Sequence, residues 1–314
     1  MAWSIWQLVD SALPTGSFAH SSGLESAIKH GVVSDSASLE LFGRRVVTQA
    51  SWSMIPFVEA GFAASEARRG LGANDCCGAE ELCAAQVDAW ARSDRLCHAT
   101  INNHVALHAS ISTGNALLRV VASAFPEAEL ILKILRKRKR IDSMLHGHHA
   151  PLFGFVCGLI RWPVKRGGTL VGVDMATVGR MFLFTILRDL VSAAMRLGVV
   201  GPFEASALER RLSEESEGAL HEVQRVRPAQ VIACSGHAQK RRRICTATKL
   251  GNFDEVNRTV TQGGDGTGLV VHTTPTPSGD VVASDAAPVV WQTDPVLDLI
   301  QASHGLLYSR LFVS

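Results

Sequence analysis

From Glu80 almost without a break to Ala124, apolar residues recur three or four positions apart, through Leu82, Val87, Trp90, Leu96, Ile101, Val105, Leu107, Leu117, Leu118 and Val121. A helix gathers such a stripe onto one face, whereas a strand would scatter it over two. Composition agrees: 46% of residues are hydrophobic and 19% charged, there is a single Tyr, and runs alternating apolar with polar are scarce. The expectation is an all-α chain, a single globular helical bundle with a flexible insertion before its C-terminal helix and tail. At 314 residues it can bury a substantial core.

Punctuation residues divide the pattern. Ser22-Gly-Leu-Glu25 reads as a capping box opening a short helix that closes at Lys29, His30 and Gly31. A helix through Leu39, Phe42, Val46 and Val47 runs to Pro56, and another spans Phe57 to Arg69. Pro126 ends the long run and leads into a helix from Glu127 to about Met144; further helices are expected over Pro151–Ile160, Asp174–Leu197, Phe203–Arg225 and Asp294–Leu307. Between about Ser235 and Pro288 Gly, Thr and Pro dominate, a composition that offsets its ordering entropy poorly. The domain reading is therefore 1–234 as a helical domain, 235–288 as a flexible insertion, and 289–314 as the C-terminal helix and tail of the same domain.

Charge narrows the partners. A formal net charge of +2 is too balanced for nucleic acid or an anionic membrane to be the main partner. The runs at 133–140 and 240–243 read as a solvated helix end and a charged loop, with no interleaved aromatics for base stacking. Met181–Val200 carries Arg188, Asp189 and Arg196, and Leu152–Val164 is too short to span a bilayer. With no secretory leader and seven cysteines lacking a CxxC pair, the chain reads as cytoplasmic with reduced thiols. Cys97 and Cys157 are expected to be buried, and Cys76 and Cys77 to lie in a loop.

Motifs for catalysis are thin. Gly264, Gly266 and Gly268 alternate with no Lys-Ser or Lys-Thr after them, so no phosphate loop is present. His104 and His108 are four apart, with Cys97 and His98 about two turns earlier, a spacing that could place metal ligands on one side, but the Glu of a zincin helix does not follow His104. His146, His148 and His149 cluster in a loop as weak metal-ligand candidates without a fourth ligand, and no metal site is assigned. The absence of a catalytic motif lowers the expectation of an enzyme without removing it. A histidine-rich metal-binding protein or metal-dependent enzyme is the competing reading.

Three blocks carry a resemblance. Gln7-Leu-Val-Asp-Ser-Ala-Leu-Pro-Thr-Gly16 continues as Ser17-Phe-Ala-His-Ser-Ser-Gly-Leu-Glu25; Ser192-Ala-Ala-Met-Arg-Leu-Gly198 follows; and Tyr308-Ser-Arg-Leu-Phe312 with Ser314 closes the chain. In this order they resemble the UreF family of urease accessory proteins. The family's usual Pro-Leu-Gly-Gln after the second block is here Val199, Val200, Gly201 and Pro202. The resemblance implies a non-enzymatic, all-α homodimer that binds the UreD/UreH accessory protein and through it recruits the UreG GTPase and apo-urease. Nickel would pass through the complex, with no resident cofactor.

Residue by residue, the resemblance places partner binding at Tyr308, Ser309, Arg310, Leu311, Phe312 and Ser314. The opening block supplies Pro14, Gly16, Phe18, His20 and Glu25 as a partner-binding or structural motif, with Arg196 from the second block. Arg196 in an apolar helix end would need a carboxylate or carbonyl partner if buried.

Overall fold

The computed structural model describes residues 3–13, 15, 20–66, 78–160, 164–166, 169–171, 173–247, 288, 290–307 and 310–312. In chain order the helices are α1 (Trp3–Val9), α2 (Leu24–Lys29), α3 (Ser36–Ser53), α4 (Ile55–Glu66), α5 (Ala79–Thr100), α6 (His104–Ala124), α7 (Glu129–Ile141), α8 (His149–Leu159), α9 (Met175–Arg196), α10 (Pro202–Ala247) and α11 (Pro295–Ala302). The architecture is all-α, as the periodicity predicts. One short ribbon, β1 (Val164–Arg166) paired antiparallel with β2 (Thr169–Val171), joins α8 to α9. Gly167-Gly168 between them in the sequence is a pair that two-residue hairpins favour, a local signal three residues to a side.

Several boundaries depart from the sequence reading for identifiable reasons. The long stripe is two helices, because Asn103 Oδ1 accepts from the amides of Val105 and Ala106 and so starts α6 afresh. No capping box forms at the start of α2: its N-cap is Gly23 in the left-handed region, and no side chain bonds the cap. A true capping box stands instead at Asp35 and Ser38, ahead of α3. Helix α10 continues through Pro228 to Ala247, where an end near Arg225 was expected. A proline removes one backbone donor, and the Ala- and Gln-containing sequence beyond it supports renewed helix.

The chain divides into two compact units, one of residues 1–224 with 287–314, the other of residues 225–286. The first unit holds two apolar clusters. One gathers α4 to α8 and the first half of α9 around Trp90, Phe57, Phe153 and Phe155, with Cys97 and Cys157 buried as expected. The other gathers α2, α3, the second half of α9 and α10 around Leu24, Leu39, Phe42, Leu190 and Leu212, and it includes Leu297 and Phe312 from the C-terminal segment.

Within the first cluster α4 and α8 approach backbone to backbone. A Cβ added at Gly154 would lie 1.8 Å from the Val58 carbonyl oxygen, and one at Gly61 would lie 1.9 Å from that of Pro151. Only glycine permits this contact. Among the described helices α6 alone is long and apolar enough to cross a membrane. Its Val105, Leu117, Leu118 and Val121 are buried in the protein.

Candidate partner-binding site

The three sequence blocks singled out above meet in space. Glu25, on α2, is almost wholly buried, and its carboxylate accepts from the Leu311 amide at 2.6 Å and the Phe312 amide at 3.1 Å. His304 Nε2 donates to the same carboxylate at 3.0 Å from a fully buried ring. Burial pushes the Glu25 carboxyl up, but the bonds from Leu311, His304 and Phe312 together hold it below the usual carboxylate range. From the second block, Arg196 lays its guanidinium over the Phe312 ring, 4.4 Å from the centroid. Arg196 is itself exposed in the last turn of α9, and its Nε donates to the Ser192 carbonyl, so no buried charge needs compensating.

The C-terminal segment reaches this point along a row of polar fastenings. Gln49 Oε1 accepts from the Thr293 amide and hydroxyl and from the Asp294 amide. Arg45 pairs with Asp294 through both carboxylate oxygens, and Asp294 also caps α11 through the Leu297 amide. Asn103 Nδ2 donates to the Asp298 carbonyl, and the Ser26 and Ser303 hydroxyls meet at 2.6 Å. Leu297 faces inward from α11, while Val296 and Leu299 face out.

Outward apolar residues continue beyond the helix: Leu306 is 87% exposed and Leu311 61% exposed, whereas Phe312 is 5% exposed. The tail thus alternates, with Leu311 outside and Phe312 inside. Arg310 is exposed. Tyr308, Ser309 and Ser314 lie outside the described residues, as do Pro14, Gly16 and Phe18, and Cys76 and Cys77. His20 is held low, at about 4, by burial and by His108 and His304 nearby. It borders a cavity of about 470 Å³ that Asn103, His149, Phe182 and Trp291 also line.

The loop histidines are divided. His146 and His148 meet His98 of α5: the His98 and His146 rings stack at 3.8 Å, and His98 Nδ1 lies 3.2 Å from His148 Nε2. Asp94 gathers the loop by accepting from the amides of His146, Gly147 and His148, with Gly147 in the left-handed region. His148 is held at about 4, chiefly by burial, with Asp94 opposing and His98, His146 and Lys139 reinforcing. His149 points elsewhere, against Phe153 and Phe182. Among the described residues no three His, Cys, Asp or Glu side chains are arranged to hold a metal ion.

Sequence reasoning named Glu25 as a helix cap and missed its clamp on the tail; it passed over His304, Gln49 and Arg45. No local signal marks them, because each acts on a residue between 245 and 279 positions away.

The UreF family model matches residues 33–213. The chain is 32% identical over 314 residues to urease accessory protein F of Arabidopsis thaliana, covering 100% of this chain and 93% of the relative. It is 38% identical over 215 residues to urease accessory protein F of Oryza sativa subsp. indica, covering 68% and 70%. To urease accessory protein UreF of Arthrobacter sp. (strain FB24) it is 27% identical over 229 residues, covering 72% and 84%. The chain belongs to the UreF family of urease accessory proteins.

Proposed function

We propose that this chain is a non-catalytic scaffold of urease maturation: a homodimer that binds a UreD/UreH-type accessory protein through its C-terminal segment. Through that complex it gathers the UreG GTPase and apo-urease for GTP-dependent nickel insertion. It acts in the cytoplasm, engages neither nucleic acid nor membrane, and handles nickel as cargo without a resident cofactor.

Family membership supports the setting, and one observation supports the surface. Val296, Leu299, Leu306 and Leu311 stand in water along a segment whose other face is fastened by Glu25, Asn103, Gln49 and Arg45. Exposed apolar residues grouped on a rigid support favour a protein partner.

Deleting residues 308–314 would remove Phe312 from the protein's own core along with the docking residues, so point variants separate the two roles better. The double variant Leu306→Ser, Leu311→Ser should keep its helical circular dichroism and lose co-purification with co-expressed UreD/UreH. Undiminished co-purification would overturn this assignment of the surface.

A further inference from the structure

Glu25 is a buried carboxylate whose described hydrogen-bond donors to its two oxygens all come from residues 304–312: the Leu311 amide, the Phe312 amide and His304 Nε2. The clamp closes over 286 residues of sequence. Burying a carboxylate costs stability unless donors replace its water, and an apolar side chain would fill the same position without that cost. What the carboxylate adds is registration. Its two oxygens meet two successive amides in the bend at Leu311 and Phe312, where Phe312 is buried and Leu311 exposed. Releasing those two amides would free the bend that turns Phe312 inward and Leu311 outward.

We propose that Glu25 is a positioning residue for the docking surface: by holding the Leu311 and Phe312 amides it fixes the bend that buries Phe312 and offers Leu311 to an apolar partner surface, with the exposed Arg310 beside it. This rests on the docking reading above. His304 completes the device by donating to the same carboxylate, and Arg196 receives the Phe312 ring that the bend delivers.

The test uses the full chain. Glu25→Gln keeps the side chain's size but can accept from only one oxygen, so the Leu311 and Phe312 amides should exchange hydrogen at least about tenfold faster. Amides of α4 and α8 should keep their protection. Affinity for purified UreD/UreH, read by calorimetry, should fall by about tenfold or more. His304→Gln, which retains a donor, should bind the partner within about threefold of the parent, whereas His304→Leu should lose about tenfold; a purely structural role would weaken both. Unchanged exchange in Glu25→Gln overturns the clamp. Faster exchange with unchanged affinity overturns the positioning role, and the docking reading then stands or falls separately on Leu306→Ser, Leu311→Ser. Should Glu25→Gln fail to fold, the two His304 variants decide: equal loss in both overturns the proposal.

Discussion

Two regions of the first unit are held together by opposite means. Where α4 meets α8, the contact is apolar and backbone-close, made by Gly61 and Gly154 under Trp90, Phe57 and Phe155. Where α2 meets α11 and the tail, the contact is stitched by charges and amides, with Glu25, His304, Arg45, Asp294, Gln49 and Asn103 as the stitches. Dry packing at van der Waals distance fixes one arrangement and opens only with the whole fold. A hydrogen-bonded seam under an exposed apolar row can open locally, which suits the segment proposed to meet another protein.

The largest expected effect tests the dry contact. Gly154→Ala places a methyl where the Val58 carbonyl already stands, so α8 must move away from α4. The gain in helix propensity is about 1 kcal/mol, and overpacking against backbone should outweigh it, for a net loss of about 3 kcal/mol or more in urea denaturation. A loss below about 1 kcal/mol would mean that the two helices are not in the contact described. Next, Phe312→Ala removes a buried ring and its contact with Arg196, for about 3 kcal/mol. This loss should be local. Hydrogen exchange should quicken in α2, α11 and residues 310–312 while α4 and α8 stay protected; uniform loss of protection would erase the distinction between the regions.

Acid should separate the regions in order. His148 has its folded pKa lowered to about 4 by burial, so between that value and 6.5 the unfolded chain binds the extra proton. Its share of stability is intact above pH 6.5 and falls as pH drops, by about 2 kcal/mol at pH 5. His149, also at about 4 through burial and the neighbouring His20, works in the same sense. Glu25 works in the same direction but at lower pH: its pKa is depressed, so its contribution is present above the ordinary carboxylate value and is lost only as pH falls through the folded one. Exchange measured at pH 7 and pH 5 should therefore show the start of α8 loosening while the Leu311 and Phe312 amides hold. His148→Gln should flatten the first change.

How much of each region could be read in the sequence follows from the same contrast. Helices were legible because their evidence is local: the stripe from Glu80, Asp174 before α9, Gly31 after α2 and Gly198 after α9 each act within a turn or two. The break at Asn103 was locally encoded too, but the apolar stripe on both sides masked it. The seam was not legible as a seam. Its parts could be recognised as three separate blocks, yet that Glu25 leaves its own helix start to hold amides near the other end of the chain depends on how α2, α9 and α11 are brought together. The loop histidines divide for the same reason, since His98 of α5, which the sequence groups with His104 and His108, meets His146 and His148 instead and leaves His149 to the aromatic core.

The smallest expected effect on stability is the most telling about function. Leu311→Ser changes a side chain that is 61% exposed, while the backbone amide held by Glu25 is retained. Its cost in urea denaturation should stay within about 0.5 kcal/mol, and the Phe312 anchor should be undisturbed. Removing an apolar contact from the centre of a protein interface commonly costs more than about 1 kcal/mol of binding, so affinity for UreD/UreH should fall by about tenfold. Stability and binding would then part company within two adjacent residues, with Phe312 serving the fold and Leu311 serving the partner. If Leu311→Ser lowered stability as much as Phe312→Ala and left affinity unchanged, the tail would belong to the protein's own core throughout, and the docking surface would have to be sought on another face.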